Sequence, residues 1–340
     1  MKVLLIKTSS LGDVIHAMPA VTEAKKNLPD LELTWVVEES LADLPRLHPA
    51  VSRVIPVSIR RWRKSWFQYR HEVRAFLSLL RDTQYDVVID SQGLMKSAVL
   101  AKLSRGERHG YDGESAREST AAVLYETNHA VAGDQHALLR QKQLMGASLG
   151  YESDTAVDYG IEQYIGGNTI MFLHGTTWAS KEWPLASWQA LASAVEADGW
   201  NIAVPAGSEE EKARAAAILQ GRKGRLLDRL ALGNLADELK TCAGVVSVDT
   251  GLGHLAAAMG LPLLGIFGAT DPGLTAMTGD RVRVIVSNHL PCIPCKKREC
   301  QFPKPHDSSN IYPPCLEPTT PESVWQALRL QIGSKDTKPG

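Results

Sequence analysis

Short apolar runs alternate with amphipathic segments through the first half of the chain. The predicted strands are Val3–Ile6, Leu33–Val37, Val54–Val57 and Val87–Ile89. The predicted helices are Val14–Asn27, Glu72–Arg81, Lys96–Ser104, Ser115–Tyr125 and Gln135–Leu149. Nearly continuous apolar strands that alternate with helices are typical of a parallel sheet covered by helices on both faces.

A second series of the same kind follows a polar, glycine-bearing linker at 156–168. Its predicted strands are Ile170–Leu173, Ile202–Val204, Arg225–Leu227, Val245–Val248, Leu263–Phe267 and Val282–Val286. Its predicted helices are Ser187–Asp198, Glu209–Leu219, Asn234–Cys242, Leu252–Met259 and Val324–Ile332. The pattern predicts an α/β protein with two doubly wound, Rossmann-like domains, at 1–155 and 169–319, facing each other across a cleft. We expect ligands in that cleft, at the carboxyl ends of the strands, and a final helix at 320–333 that crosses back to the first domain.

Composition removes several other classes of protein. The chain has 340 residues, 44% hydrophobic and 22% charged, with 37 Lys and Arg against 38 Asp and Glu. It therefore lacks the basic excess of a dedicated nucleic-acid binder, and anion recognition has to be local. Residues 250–270 lack charged side chains, but five glycines and Pro262 interrupt them, which indicates a buried core rather than a membrane span. Because Met1-Lys2 precedes only four apolar residues, we expect a cytoplasmic location.

Polar residues follow the first predicted strand. Asp13 comes three residues after Ser10, which is the spacing of a helix capping box, and its carboxylate suits the first turn of a helix. A carboxylate at the carboxyl end of a strand can also face a ligand and accept a proton from it. The loop matches neither the phosphate-binding nor the dinucleotide-binding glycine motif, so nucleotide hydrolysis and ordinary dinucleotide binding lose support.

Three strand-to-helix turns in the second half carry groups suited to a nucleotide. They contain Thr176, Thr177 and Lys181; then Glu211 in an acidic triplet; then Asp249, Thr250, Gly251 and His254. Hydroxyls, one ammonium and a helix N-terminus suit a diphosphate, and a carboxylate suits ribose hydroxyls. Each turn also has a purely structural interpretation: a solvated lysine, a solvated acidic face, a threonine cap and a core histidine. Three such turns together favour a nucleotide site.

One dense cationic cluster, at residues 60–64, is interleaved with aromatic residues. It contains Arg60, Arg61, Arg63 and Lys64, with Trp62 between them and Trp66 and Phe67 beyond. A charge run is usually a solvated face, but the aromatic residues favour a docking surface. Nucleic acid, an anionic lipid headgroup and a phosphorylated, carboxylated sugar are the candidates, and the near-neutral net charge favours the second and third.

Four of the five cysteines lie in a proline-rich segment near the end of the chain: Cys292, Cys295, Cys300 and Cys315. Clustered thiols predict a structural zinc site, with an iron–sulfur cluster and reversible disulfides as alternatives. The spacing is not that of two standard C-x2-C knuckles. We expect this segment to hold a loop in place rather than to perform a reaction.

Taken together, these motifs resemble the bacterial lipopolysaccharide heptosyltransferases, glycosyltransferase family 9, and within them the heptosyltransferase I branch. The resemblance extends to about Pro272; the cysteine segment is more similar to tails of other family members. The stretches that carry it are Lys7-Thr-Ser-Ser-Leu-Gly-Asp13 through Pro19, Trp35–Glu39, Val54–Val57, Arg60–Lys64, Asp90–Ser97, Ser115–Glu118, His174–Thr177, Lys181–Pro184, Asp249–Leu255 and Gly268–Pro272.

The resemblance implies a GT-B fold and an inverting transfer of L-glycero-D-manno-heptose from ADP-L-glycero-β-D-manno-heptose to the first Kdo of Kdo2-lipid A. It implies that Asp13 is the general base. The implied donor-binding residues are Thr176, Thr177 and Lys181 at the diphosphate, Glu211 at the ribose, and Asp249, Thr250, Gly251 and His254 at the heptose and phosphates. The implied acceptor-binding residues are Arg60, Arg61, Arg63, Lys64, Lys96 and Arg117.

We therefore expect a metal-independent enzyme that works peripherally on the cytoplasmic face of the inner membrane and binds no nucleic acid. The sequence contains no Asp-x-Asp pair, in agreement with a leaving group that a lysine and helix dipoles neutralise. Two alternatives stay open at this stage. One is another core-sugar transferase of the same family, similar to heptosyltransferase II, and the other is a non-catalytic protein that binds anionic lipid.

Overall fold

A computed structural model of the chain describes residues 1–65, 67–287, 289–303 and 312–333. They form two compact units, Met1–Ile161 and the chain from Glu162 onward. The division lies inside the predicted linker at 156–168. Within the described ranges, no helix combines the length and the apolar character needed to cross a membrane.

The first unit contains a parallel sheet of six strands in the order β3-β2-β1-β4-β5-β6. The strands are β1 Lys2–Ile6, β2 Glu32–Glu38, β3 Val51–Val57, β4 Val87–Asp90, β5 Glu107–Tyr111 and β6 Thr127–His129. The helices are α1 Leu11–Ile15, α2 Met18–Asn27, α3 Asp43–Arg46, α4 Ile59–Trp62, α5 Arg70–Arg81, α6 Met95–Leu103 and α7 Ala137–Leu149, with 3-10 turns at Glu39–Leu41 and Ser119–Leu124.

The second unit repeats this architecture with the order β12-β11-β10-β7-β8-β9, again all parallel. Its strands are β7 Thr169–Leu173, β8 Asn201–Ala206, β9 Gly224–Asp228, β10 Cys242–Val248, β11 Leu263–Phe267 and β12 Val282–Val286. Its helices are α8 Leu185–Ala197, α9 Glu209–Leu219, α10 Leu232–Lys240, α11 Gly251–Ala258, α12 Pro272–Thr275 and α13 Pro321–Ile332, with 3-10 turns at Ala179–Lys181 and Pro314–Leu316.

These two sheets confirm the predicted fold class. Numbered within its own unit, each sheet has the strand order of a doubly wound nucleotide-binding domain. The central strands are the apolar ones: residues Val3–Ile6 of β1 and Ile170–Leu173 of β7 are almost completely buried. Parallel pairing with both faces covered by helices explains why these strands contain nearly continuous apolar residues.

Two predicted helices of the first unit differ in the structure. The predicted helix Val14–Asn27 is divided into α1 and α2, with Pro19 in the first turn of α2, where a missing backbone N–H costs nothing. The prediction of a helix at Ser115–Tyr125 is wrong. That region contains a 3-10 turn between β5 and β6, two strands that the apolar pattern does not reveal because their sequences, Glu-Arg-His-Gly-Tyr and Thr-Asn-His, are largely polar.

The predicted final helix is present as α13, and its return to the first domain stays a prediction. The structure places α13 in the second unit, where it packs against α8, β10 and β11. Val324, Trp325 and Leu328 join the core of that unit, and the Trp325 indole N–H donates to Asp198 Oδ2 at 2.8 Å. The apolar side of the helix is therefore used within the second unit.

We expect Leu328→Ala to lower the free energy of unfolding of the second unit by about 2–5 kcal/mol, because it leaves a cavity over β10. Leu330→Ala on the same helix is the matched control, since that side chain is 73% exposed and its removal should cost less than about 0.5 kcal/mol. Urea unfolding followed by tryptophan fluorescence measures both. Equal effects of the two substitutions would contradict the packing of α13.

Candidate active site

In each sheet, two neighbouring strands lead to loops that run in opposite directions. In the first sheet these strands are β1 and β4, and in the second they are β7 and β10. Such a reversal of strand order opens a crevice at the carboxyl ends, which is where ligands bind in open α/β sheets. Asp13 lies at the first point and Lys181 and Asp249 lie at the second, whereas Arg60–Lys64 follow the edge strand β3 and Glu211 follows β8.

At the reversal point of the first unit, Asp13 is the third residue of α1, which starts directly after the loop that follows β1. Its Oδ2 accepts hydrogen bonds from the Ser10 backbone N–H at 2.9 Å and from the Ser10 hydroxyl at 2.7 Å. The side chain keeps 28% of its surface exposed, and an Arg117 guanidinium nitrogen lies 4.0 Å away. Asp13 therefore caps the helix and still presents a carboxylate to a ligand.

The charge of Asp13 is set by a buried lysine. Burial alone would raise the pKa of Asp13, but the Lys7 ammonium and the two bonds from Ser10 outweigh it and lower the pKa to about 2. Lys7 Nζ donates to the Ser91 carbonyl after β4 at 3.0 Å, so it bridges the two diverging loops. Burial in turn lowers the pKa of Lys7, while the Asp13 charge opposes that shift. Asp13 is thus ionised at every physiological pH.

The cationic cluster separates into paired and unpaired side chains. Arg61 contacts Glu39 at 2.9 Å and Glu72 at 2.6 Å and lies over the Tyr69 ring. The side chains of Arg60, Arg63 and Lys64 are exposed and form no ion pair with any residue in the described ranges. Arg61 therefore holds the segment together, whereas the other three cations are available to an anion.

A hydrogen-bonded chain connects this segment to the loop that carries Asp13. The Glu38 backbone N–H donates to the Thr8 carbonyl at 3.0 Å, and the Glu38 carboxylate accepts from the Arg60 backbone N–H at 3.3 Å. The two remaining predicted acceptor residues lie beyond β4. Lys96 is half-buried on the first turn of α6, and Arg117 is exposed beside Asp13.

The reversal point of the second unit contains a short ion pair. Lys181 Nζ lies 2.6 Å from Asp249 Oδ2, and both side chains are largely buried. The same carboxylate oxygen accepts a hydrogen bond from the Thr270 hydroxyl, and the Lys181 ammonium lies 4.5 Å from the centre of the Trp178 ring. The Thr176 hydroxyl donates to the Asp249 carbonyl at 3.5 Å. The loops after β7 and β10 are therefore joined through predicted donor residues.

Glu211 brings the loop after β8 to the same edge. Its Oε2 accepts from the Gly207 backbone N–H at 2.7 Å, and its backbone N–H donates to the Ser208 hydroxyl at 3.2 Å. A Cβ on Gly175 would stand 2.4 Å from Glu211 Oε1, so a larger residue at this position would displace the carboxylate. The three turns therefore lie next to one another at one edge of the second sheet.

Three of the four remaining predicted donor residues lie at the start of α11, and the fourth is Thr177. Thr250 is its N-cap residue and Gly251 its first residue, so free backbone N–H groups lie next to Asp249. His254 is buried one turn further on, in agreement with the core-histidine interpretation of its position. Thr177 is exposed on the loop before Lys181.

The four clustered cysteines are free thiols in this structure. Burial, and then the neighbouring Cys300, Cys295 and Cys292, raise the pKa of the Cys315 thiol to about 11. Among the described residues no group of three or more His, Cys, Asp or Glu side chains is arranged to hold a metal ion. As placed, the cysteines therefore do not form a ligand set, and structural zinc stays a prediction.

The cysteine segment is hydrogen-bonded to the loop after β7 and to the residues after β11. The Ser180 backbone N–H donates to the Arg298 carbonyl at 3.1 Å, and the Ser180 hydroxyl donates to the Lys297 carbonyl at 2.5 Å. The Lys296 backbone N–H donates to the Ala269 carbonyl at 2.7 Å. These bonds fix the residue next to Lys181.

Three polar residues at the reversal points are absent from the set of functional residues predicted from the sequence. They are Lys7, Gln92 and Thr270, all inside the motifs that carry the family resemblance. Gln92 Oε1 accepts from the backbone N–H groups of Thr8 and Ser9 at 3.1 and 3.2 Å, so it shapes the loop before Asp13. The position of Lys7 directly after a buried strand is a sequence signal that could have identified it. The neighbouring sequence contains no signal for the hydrogen-bond partners of Gln92 or Thr270.

Comparisons with known proteins agree with this architecture. Residues 73–306 match the model of glycosyltransferase family 9 (heptosyltransferase). The chain is 41% identical to lipopolysaccharide heptosyltransferase 1 of Pseudomonas aeruginosa over 99% of both proteins. Two solved structures of E. coli heptosyltransferase WaaC are similar, each 41% identical. The structure with ADP has a TM-score of 0.81 over 85% of this chain and 94% of that chain. The structure with ADP-2-deoxy-2-fluoro heptose has a TM-score of 0.78 over 84% and 93%.

The family match covers more than half of the chain, and the Pseudomonas relative is similar over almost the whole length. The resemblance read from the motifs is confirmed, as is the assignment to GT-B type glycosyltransferases. The chain belongs to glycosyltransferase family 9 and is a heptosyltransferase of lipopolysaccharide core synthesis.

Proposed function

We propose that this heptosyltransferase moves L-glycero-D-manno-heptose from ADP-L-glycero-β-D-manno-heptose to the first Kdo of Kdo2-lipid A, with inversion at the anomeric carbon. The observation that carries the proposal is the Lys181–Asp249 ion pair at the reversal point of the second sheet. The E. coli enzyme solved with ADP and with a fluorinated ADP-heptose is 41% identical to this chain and supports the choice of donor.

The donor is assigned to the second unit. Thr176, Thr177 and Lys181 supply two hydroxyls and one ammonium for the diphosphate, and the start of α11 adds backbone N–H groups and the positive end of a helix dipole. Asp249, Thr250, Gly251 and His254 are assigned to the heptose and the adjacent phosphate. The Glu211 carboxylate is assigned to the ribose hydroxyls, in the space that Gly175 leaves free.

The acceptor is assigned to the first unit. Its Kdo carboxylates and phosphates need cations, and Arg60, Arg63 and Lys64 supply exposed charges that other described residues do not neutralise. Lys96, on the first turn of α6, and Arg117, after β5, supply two more. Arg61 acts indirectly, because Glu39 and Glu72 already bind its guanidinium and fix the position of its neighbours.

Asp13 is the general base of the proposed reaction. It is ionised in the resting enzyme and accepts the proton of the acceptor hydroxyl as that oxygen attacks the anomeric carbon. The bond from that carbon to the diphosphate breaks on the opposite face, which inverts the configuration. ADP leaves with additional negative charge, and Lys181 and the α11 N-terminus stabilise that charge where it develops. We further propose that no divalent metal takes part, because these groups supply the neutralisation.

A direct test is mass spectrometry of Kdo2-lipid A after incubation with ADP-heptose and the enzyme, with EDTA in a parallel sample. We expect one added heptose in both samples. Addition only to an acceptor that already carries heptose would support a heptosyltransferase II-like activity instead. Loss of transfer with EDTA, restored by a divalent cation, would contradict metal independence. Absence of transfer to any acceptor would favour a non-catalytic lipid binder.

Asp13→Asn should lower kcat by about 10²–10⁴-fold and leave the donor KM nearly unchanged, because the amide keeps the shape of the side chain but cannot take a proton. Steady-state kinetics with both substrates varied measures this. Asp43→Asn, a carboxylate in the first turn of α3 in the same unit, is the control and should match the wild type. Near-normal turnover of the Asp13→Asn variant would leave Asp13 with its capping role alone.

Lys181→Met should raise the donor KM and lower kcat by about 10²–10³-fold, since it removes a charge that acts both on bound diphosphate and on the leaving group. Lys212→Met removes an exposed lysine of the same unit, paired with Asp228, and should be silent. ADP binding by calorimetry separates the loss in affinity from the loss in rate. Unchanged kinetics would exclude Lys181 from the site.

Lys7→Met should raise the pKa of Asp13 by about 1–3 units, because it removes the ammonium that favours the carboxylate. With the wild-type pKa at about 2, the Asp13 base stays ionised throughout the assay range; in the variant, kcat/KM should begin to fall at a higher pH as Asp13 takes up a proton. The pH profile of kcat/KM measures the shift, with Lys26→Met as a surface control. Identical profiles would show that Lys7 does not set this charge.

A further inference from the structure

An apolar surface lies on the outside of the first unit, on α5, α6 and the 3-10 turn Ser119–Leu124. We name it the α5–α6 face; its exposed apolar residues are Leu79, Met95, Val99, Leu103 and Val123. The first four are 36–44% exposed and Val123 is 83% exposed. Helices of a globular protein normally turn polar residues outward, so this face is unusual.

The arrangement within α6 is regular. Met95, Val99 and Leu103 are spaced four residues apart and therefore form one line along the helix. Ala98 and Ala101 on the opposite side are completely buried, and Ala101 joins Phe76 and Leu80 of α5 in one core cluster. The helix is thus apolar on both its inner and outer sides, and the inner side alone is explained by the core.

The two helices of this face are positively charged, although the whole chain has a net charge of −1. Together α5 and α6 contain five Lys and Arg and one carboxylate, Glu72. Arg81 ends α5, Lys96 and Lys102 lie on α6, and Arg105 follows it; none of the four forms an ion pair with a described residue. The nearby carboxylate of Glu118 accepts the Met95 backbone N–H, and Glu126 pairs with Arg108.

We propose that the α5–α6 face docks on an anionic lipid bilayer. Apolar side chains flanked by unpaired Lys and Arg fit the interface of such a membrane, where the side chains enter the acyl boundary and the cations meet lipid phosphates. A neutral apolar partner would leave those cations without counter-charges. The proposal names the surface that would hold the enzyme at its membrane-embedded acceptor, and in that respect it rests on the proposed function.

The position of the face fits that role. Met95 and Lys96 are adjacent on the first turn of α6, so the proposed membrane contact begins next to a residue assigned to the acceptor. Glu118, one residue after Arg117, holds the Met95 backbone. A lipid-linked acceptor would therefore present its sugars to these cations while its acyl chains stay in the bilayer that the face contacts.

The test is flotation of the full-length protein with two kinds of vesicle. One contains phosphatidylglycerol and phosphatidylethanolamine, and the other contains phosphatidylcholine alone. We expect the wild type to float with the anionic vesicles only. The double variant Val99→Gln, Leu103→Gln should lose about tenfold or more in vesicle affinity, as should Lys102→Gln, Arg105→Gln. Ile165→Gln, Leu330→Gln removes two exposed apolar residues of the second unit and should bind like the wild type.

Transfer to a water-soluble Kdo acceptor without acyl chains separates this proposal from the proposed function. All three double variants should match the wild-type rate on it, and thermal melts should show that they are folded. Wild-type flotation with neutral vesicles as well, absence of flotation, or full binding by Val99→Gln, Leu103→Gln would overturn the docking surface, whatever the transfer assay shows. A wild-type dimer that this variant converts to a monomer would assign the face to a second copy instead.

Discussion

The reversal of strand order in the middle of each sheet is the constraint on which both half-sites depend. Right-handed crossover connections place the loops after β1 and β4 on opposite sides of the first sheet, and likewise those after β7 and β10 in the second. Each crevice thus forms from backbone topology before any side chain is considered. Polar groups in these crevices lie at the ends of the apolar strands and not between them. Charged side chains can therefore be placed close to each hydrophobic core.

Each crevice contains a lysine and an aspartate, but the two pairs differ in geometry and in proposed role. In the first unit the buried Lys7 bridges two loops and lowers the pKa of Asp13, so the proposed base is ionised before any acceptor arrives. In the second unit Lys181 lies directly on Asp249, and we propose that its ammonium exchanges that partner for the donor diphosphate. Charges held in place by the fold need little reorganisation when the reaction moves charge between the substrates.

The two units also differ in the distribution of positive charge on their surfaces. The segment from Arg60 to Arg105 contains ten Lys and Arg against four Asp and Glu, and it includes α5, α6 and most of the residues proposed to bind the acceptor. Arg61 differs from its neighbours because two carboxylates already neutralise it, so not every cation of a cluster is a ligand-binding group. The cation proposed for the donor, Lys181, is by contrast largely buried.

The sequence by itself determined the two-domain α/β architecture. Buried parallel strands require continuous apolar runs such as Leu263–Phe267, and helix starts such as Thr320-Pro321 are marked by an N-cap residue followed by proline. It also predicted site roles for Asp13, Lys181 and Glu211, since each follows a strand. Only the tertiary structure decided where α13 packs, that β5 and β6 are strands, that Lys7 and Gln92 shape the Asp13 loop, and that Arg61 is neutralised. Those outcomes depend on contacts between residues far apart in the chain, such as Lys7 with Ser91, which local spacing does not encode.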